Sequence, residues 1–209
     1  MDFLANYLII ISISIVAMIS PGPDLLIVLR NSLGLGRKHG IATALGIGSG
    51  LIIHVTYCVL GIAFIISQSI MMFSVIKYVG AAYLLWLGYK SLKSKGWAVD
   101  PEKAKNKQKT VFAAFREGFI TNAFNPKATM FFLALFTQVV APNTPMSWQL
   151  LYGVTIIALA CIWFSIVSVV LTNPQLRSIL SKFSVWIDRV TGVLLVGLGL
   201  KIITEKATL

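Results

Sequence analysis

Six long apolar stretches, separated by short polar segments, dominate this chain. Hydrophobic residues fill 57% of the 209 positions and charged residues only 12%, and the mean hydropathy is +0.84. A helix crosses the hydrocarbon of a bilayer with about 20 mostly apolar residues, so each stretch is long enough to be a membrane span. The predicted spans are 3–29, 41–66, 71–87, 112–140, 149–171 and 185–203. The pattern predicts an all-α integral membrane protein with a single transmembrane domain, 1–209.

Two of these stretches are interrupted by proline beside polar residues. The interruptions are Ser-Pro-Gly-Pro-Asp at 20–24 and Asn-Pro-Lys at 125–127. A proline inside a helix removes a backbone hydrogen bond and clashes with the preceding turn, which kinks or breaks the helix. Opened backbone is tolerated at membrane depth only where it is buried in protein or lines a polar cavity. Two such breaks, each carrying an ionisable residue, favour a transporter over proline kinks kept for packing.

The first break supplies four candidate substrate-binding residues. Pro21, Gly22 and Pro23 are expected to open several carbonyls and to start a new half-helix. Asp24 would lie at the N-terminus of that half-helix, where the helix dipole favours a carboxylate. An acid in an apolar span indicates a cation partner or a proton-binding role. The alternative is that Asp24 only caps the half-helix.

The second break supplies the other four candidates. Asn122 and Asn125 offer amide donors and acceptors, and Pro126 suits the first turn of a helix. Lys127 needs an anionic partner or water at this depth. We predict that Lys127 holds the carboxylate of a small zwitterion while Asp24 receives its ammonium group. The alternative is a resting-state ion pair between Lys127 and Asp24.

The second span carries small residues and a histidine on one helix face. Gly46, Gly50 and His54 follow one another at four-residue spacing, and glycines so spaced allow two helices to pack closely. His54 could titrate as a proton relay, which makes it a second proton-coupling candidate beside Asp24. A hydrogen-bonded packing histidine is the alternative.

The basic residues predict an orientation rather than nucleic-acid binding. The net charge is +11, and eight of the 18 lysines and arginines lie between positions 90 and 116. Apart from Trp97, that segment offers no interleaved aromatic platform on which bases could stack. By the positive-inside rule, the connection at about 90–116 is cytoplasmic and both termini are periplasmic. Lys201 and Lys206, near the C-terminus, run against this assignment.

An internal repeat predicts the architecture. Residues 79–90 align without a gap with residues 190–201, and both segments end in Leu-Gly-x-Lys. Setting Pro21 against Pro126 places one break in the first span and the other in the fourth. The chain therefore divides into two three-helix halves, about 1–92 and 112–209, with the basic loop at about 93–111 between them. Three spans per half make the repeat inverted, an arrangement that permits alternating access.

Other function classes fit the residues less well. Cys58 and Cys161 lie in the second and fifth predicted spans, away from the breaks, where small apolar packing suits them. A transmembrane thiol-redox protein is an alternative on these two cysteines. Metal-ion efflux is another, although the two histidines are not clustered with carboxylates. No cofactor, metal-ligand spacing or enzymatic nucleophile–base set is visible.

Several segments, in order along the chain, resemble the lysine-exporter superfamily and its homoserine and threonine efflux branch, RhtB. They are the motif at 20–24, the glycine-rich 40–50, Gly-Tyr-Lys at 88–90, Glu-Gly-Phe at 117–119, Asn-Pro-Lys-Ala at 125–128 and Trp-Ile-Asp-Arg at 186–189. The resemblance implies a bacterial inner-membrane secondary carrier that exports amino acids or close derivatives, driven by the proton gradient. Protons, substrate and lipid are the implied partners, and a homodimer stays open.

Overall fold

A computed structural model of the chain describes residues 3–68, 70–96, 109–140 and 144–204. All the regular elements within these residues are α-helices, so the predicted all-α class is confirmed. Residues 97–108, the middle of the predicted cytoplasmic connection at about 90–116, lie outside the described residues. The helices are α1 (Phe3–Ile19), α2 (Pro23–Leu35), α3 (Arg37–Gln68), α4 (Ile70–Leu92), α5 (Val111–Ala123), α6 (Pro126–Val139), α7 (Met146–Thr172) and α8 (Pro174–Thr204).

Helix length and hydropathy support a membrane protein. Within the described residues, three helical segments are long and apolar enough to cross a bilayer: Arg37–Gly61, Met146–Thr172 and Lys182–Thr204. The pair α1 and α2, bent by 57°, would make a fourth span. Helices α5 and α6 have 13 and 14 residues, each shorter than the roughly 20 needed to span alone. The count of six spans stays a prediction.

Both predicted interruptions separate helices. Helix α1 ends at Ile19 and α2 begins at Pro23; α5 ends at Ala123 and α6 begins at Pro126. Each new helix starts with proline. Proline lacks a backbone N–H, but an N–H at the first helical position would have no intrahelical acceptor, so no hydrogen bond is lost. At each break, therefore, one helix ends and a new helix begins at a proline.

Helix α3 runs through the middle of the bundle and packs on α5 and α7, while α4 packs along α8. Glycines bring α3 and α5 together. A Cβ atom added at Gly46 would lie 2.0 Å from the carbonyl oxygen of Phe115, and one at Gly50 would lie 2.9 Å from Asn122 Oδ1. No side chain fits between the two helices at these positions, and α3 is thereby held beside the second break.

Candidate functional site

The two breaks meet at a small cavity in the centre of the bundle, which we call the inner cavity. Its volume is about 50 Å³, far below the roughly 300–1,000 Å³ of pockets that hold small-molecule ligands. Its apolar wall includes Phe131, Phe132 and Phe164. Its polar wall comes from both breaks: Ser20, Asp24, Asn122, Asn125 and Lys127.

Asp24 lies in the first turn of α2 and is held from the opposite half of the chain. Its Oδ2 atom accepts a hydrogen bond of 2.9 Å from Asn122 Nδ2. Its Oδ1 atom, and Oδ1 of Asn122, are buried without a hydrogen-bond partner among the described residues. Buried polar atoms are normally paired, so each of these oxygens is an acceptor suited to a cationic donor.

Lys127 binds the open end of α1. Its ammonium donates to the carbonyl oxygens of Ser20 at 2.6 Å, Ala17 at 3.1 Å and Pro21 at 3.3 Å. An ammonium group has three donors, and a cation at a helix C-terminus is favoured by the helix dipole. Lys127 and Asp24 do not form a direct ion pair. The ammonium of Lys127 donates to backbone carbonyls, and the carboxylate of Asp24 accepts from Asn122. The resting-state ion pair is therefore not what the structure shows.

Of the two polar side-chain atoms of Asn125, one makes a hydrogen bond within the protein and the other does not. Its Oδ1 atom accepts a hydrogen bond of 2.9 Å from the backbone N–H of Lys127 and so caps α6. The side chain is 2% exposed, and its Nδ2 atom has no hydrogen-bond partner within the described part of the chain. The open N–H group is a donor suited to an anion.

His54 lies behind the inner cavity rather than on its wall. Its Nε2 atom is 2.9 Å from the backbone carbonyl oxygen of Asn122, which can only accept, so Nε2 carries a proton. Its Nδ1 atom is 2.8 Å from the Tyr57 hydroxyl, and its ring stacks on Phe132 with centroids 5.6 Å apart. The structure shows the hydrogen-bonded packing arrangement, and proton transfer by His54 stays a hypothesis.

A second, larger cavity lies against the other side of the breaks, and we call it the outer cavity. Its volume is about 350 Å³, and α4 supplies much of its wall, including Tyr83, Trp86 and Lys90. The predicted residues divide between the two cavities. Asp24 and Asn122 line only the inner one. Pro21, Pro23 and Pro126 line only the outer one, and Gly22, Asn125 and Lys127 line both.

Sequence reasoning missed the contributions of α4 and of the loop at Ser20. Sequence reasoning placed Lys90 in the orientation signal and in the internal repeat but not in the site, although Lys90 lines the outer cavity. Its spacing offered a clue, because Tyr83, Trp86 and Lys90 recur at three or four residues along one helix face. Ser20, 2% exposed, is a polar residue within an apolar stretch and could have been named on that ground.

The features required by the two alternative classes are not assembled here. Among the described residues, no group of three His, Cys, Asp or Glu side chains could hold a metal ion. Cys58 and Cys161 are both free thiols, and Cys161 Sγ packs against Gly48.

Comparison with known proteins gives matches along nearly the whole chain. A family model described as "LysE type translocator" matches residues 15–206. The "Uncharacterized membrane protein YrhP" of Bacillus subtilis (strain 168) is 32% identical over 199 residues, covering 91% of this chain and 95% of that protein. The "Threonine efflux protein" of Escherichia coli (strain K12) is 30% identical over 204 residues, covering 96% and 98%.

A further relative carries a different substrate in its name. The "Leucine efflux protein" of Salmonella choleraesuis (strain SC-B67) is 36% identical over 148 residues, which cover 66% of each chain. No solved structure matches the chain significantly.

Proposed function

Because the chain belongs to the LysE type translocator family, we propose that it exports amino acids or close derivatives from bacterial cells. Membership in a translocator family makes it a transporter rather than an enzyme. Threonine and leucine are the first candidate substrates, since relatives are named for the efflux of each. We place the protein in the inner membrane, with the connection at about 90–116 cytoplasmic and both termini periplasmic.

Unpartnered polar atoms in the inner cavity are complementary to both ends of a free amino acid. The acceptors Asp24 Oδ1 and Asn122 Oδ1 suit an ammonium group, and the donor Asn125 Nδ2 suits a carboxylate. A buried polar group left without a partner costs about 1–3 kcal/mol, so a ligand that pairs with these atoms gains affinity. This set of open donors and acceptors is the observation on which the proposed substrate class rests.

The small volume of the inner cavity requires a conformational change for transport. At about 50 Å³ the cavity is too small for an amino acid, so the structure represents a closed state. We propose that rocking of the halves 1–92 and 112–209 opens the inner cavity to each side in turn. The ammonium of Lys127 bonds the second half to the end of α1, and this contact must loosen when the cavity expands.

Proton antiport is the proposed energy source, with Asp24 as the first coupling residue. Protonation removes the charge that attracts the substrate ammonium, so a proton and a substrate compete for the same carboxyl group. His54 is the second candidate, because it contacts Asn122, which in turn contacts Asp24. An acid and a histidine inside a transmembrane bundle are common elements of proton relays.

Efflux from proteoliposomes tests the proposed function. Purified protein is reconstituted, and release of labelled threonine, leucine, homoserine and lysine is measured with and without an imposed pH gradient. The wild-type protein is expected to release at least one of them faster when the gradient is present. Asp24→Asn keeps the shape of the side chain and is expected to abolish the gradient effect.

Glu117→Gln is the matched control, because Glu117 accepts hydrogen bonds from Lys109 and Asn31 and does not line either cavity. It is expected to keep gradient-driven efflux. Release of none of the four amino acids by the wild-type protein would overturn the proposed substrate class. Full gradient dependence in Asp24→Asn would overturn the coupling role of Asp24 alone.

A further inference from the structure

The outer cavity differs from the inner one in size and in charge. Its volume of about 350 Å³ is within the range of roughly 300–1,000 Å³ that small-molecule sites occupy. In the state shown, an amino acid therefore fits the outer cavity and not the inner one. A site in the outer cavity would be occupied before the bundle opens.

Two helices begin at the wall of the outer cavity. Pro23 is the first residue of α2 and Pro126 is the first residue of α6, and both line the cavity. The N-terminal end of a helix carries a partial positive charge and N–H groups without intrahelical partners, which favour an anion. Two such ends meet at one cavity; Asp24, in the first turn of α2, offsets the charge of the first, so the start of α6 is the end that favours an anion more.

Asn125 adds a donor that the protein uses only in part. The residue is 2% exposed and lines the outer cavity. Its Nδ2 atom carries two N–H groups; it interacts with the Asp24 carboxylate but makes no close hydrogen bond among the described residues. An unused N–H donor at the start of α6 is placed to bind the same anionic group that the helix ends favour. This observation is independent of the helix dipoles and indicates a ligand.

Lys90 places a mobile cation in the same cavity. Its ammonium lies 4.3 Å from the centroid of the Trp86 ring, and both residues line the cavity. A cation held over an indole face is attracted by the electrons of the ring, which positions the group without neutralising its charge. Lys90 can therefore pair with an arriving carboxylate, while Trp86 holds the lysine ammonium at the wall of the outer cavity.

We infer, building on the proposed function, that the outer cavity is a second substrate site, which binds the carboxylate end of the amino acid before it enters the inner cavity. The carboxylate lies between the starts of α2 and α6, with Asn125 Nδ2 and the Lys90 ammonium as its donors. Lys90 adjoins the predicted cytoplasmic connection, so this site receives substrate from the cytoplasm.

Lys127 and Gly22 form the partition between the two sites. Both residues line both cavities, and a Cβ atom at Gly22 would lie 2.9 Å from Cδ and 3.2 Å from Nζ of Lys127. The lysine side chain thus lies directly on the glycine. Substrate can move inward only when the ammonium leaves the carbonyls of α1, and an incoming carboxylate offers it a competing partner.

The test compares two lysines on the same helix end. Lys90 lines the outer cavity, whereas Lys93 does not, although Lys93 also stacks on an aromatic ring, that of Tyr89, at 4.7 Å. Uptake of labelled threonine and leucine is measured in everted membrane vesicles, whose cytoplasmic face points outward. Lys90→Gln is expected to raise the half-saturation concentration about five- to tenfold, as for loss of one charge-assisted contact, with little change in the maximal rate.

Two further variants make the result specific. Lys90→Arg keeps the charge and is expected to restore the half-saturation concentration to within twofold of wild type. Lys93→Gln removes an equal charge from the same surface and is expected to stay within twofold as well. Equal effects of Lys90→Gln and Lys93→Gln would overturn the outer site and leave the proposed function intact. Absence of uptake by the wild-type protein would overturn both.

Discussion

At the first break, the backbone groups at the helix ends are left uncapped or are hydrogen-bonded by a residue from elsewhere in the chain. At the second break, residues of the break itself supply most of these hydrogen bonds. Gly22 precedes α2 without any side-chain cap, and the carbonyls that end α1 are bonded by Lys127 from the other half. At the second break, Asn125 caps α6 through its own Oδ1 atom. The carbonyl of Asn122 at the end of α5 accepts from the backbone N–H of Asn125 and also from the buried ring of His54.

This difference indicates which break moves during transport. The second break is fixed by a local cap, by His54 and by the close approach of α3 to α5 at Gly46 and Gly50. The first break depends on one flexible lysine side chain, with four rotatable bonds and no packed ring. We propose that the end of α1 is the mobile part and that the second break is the scaffold.

The largest effect on transport and stability is expected when the ammonium group at position 127 is removed. Lys127→Met removes the donor to three backbone carbonyls at the first break, those of Ala17, Ser20 and Pro21, and is expected to abolish transport. It should also lower the melting temperature by about 5–10 °C, from a loss of about 2–3 kcal/mol in a chain of this size. Transport assays and thermal unfolding in detergent measure the two effects.

Lys38→Met serves as the control for loss of a lysine, because Lys38 is exposed in the first turn of α3. It is expected to keep both transport and melting temperature near wild type. Near-normal transport by Lys127→Met would mean that the end of α1 does not need this bond, and the asymmetry between the breaks would lose its basis.

Substitution of His54 tests whether the second break is a scaffold or part of a proton relay. His54→Ala removes one of the two hydrogen bonds that the Asn122 carbonyl accepts. The loss costs up to about 1.5 kcal/mol and is expected to slow transport up to about tenfold. His54→Gln can place an amide donor near the same carbonyl and is expected to recover most of the rate with its pH-gradient dependence. Loss of gradient dependence in His54→Gln, at a retained rate of exchange, would make His54 a relay instead.

A methyl group at position 22 gives the smallest expected effect. Gly22→Ala brings Cβ within 2.9 Å of Lys127 Cδ, which a flexible lysine can relieve by shifting. We expect transport to slow only about two- to fivefold, the range of a mild overpacking. Gly197→Ala, with no neighbouring atom within 4 Å, is the matched control and is expected to transport as wild type. Equal rates in the two variants would argue against close packing of Lys127 on Gly22.

The sequence predicted the helix breaks well, because proline acts on its own backbone. Pro23 and Pro126 begin new helices as expected, and no knowledge of the rest of the chain was needed. The cap at Asn125 is likewise local, since an amide oxygen bonds an N–H two residues on. These parts of the site follow from residues adjacent in sequence.

The partners across the bundle could not be predicted in the same way. Asp24 and Asn122 are 98 positions apart, and Lys127 and Ser20 are 107 apart. A lysine in an apolar span has several suitable partners, and the sequence predicted substrate or Asp24 where the structure has backbone carbonyls. The outer cavity was also missed, because its wall requires α4 to lie beside both breaks, which no local pattern specifies.

Direct binding tests the central claim, that the two breaks together form an amino-acid site. Binding of labelled threonine and leucine to the purified protein is measured for wild type, Asp24→Asn, Asn125→Ala and Glu117→Gln. We predict saturable binding of at least one amino acid to wild type and to Glu117→Gln, with affinity reduced at least tenfold in the two break variants. Wild-type affinity in both break variants would contradict the account, because the substrate would then bind away from the breaks.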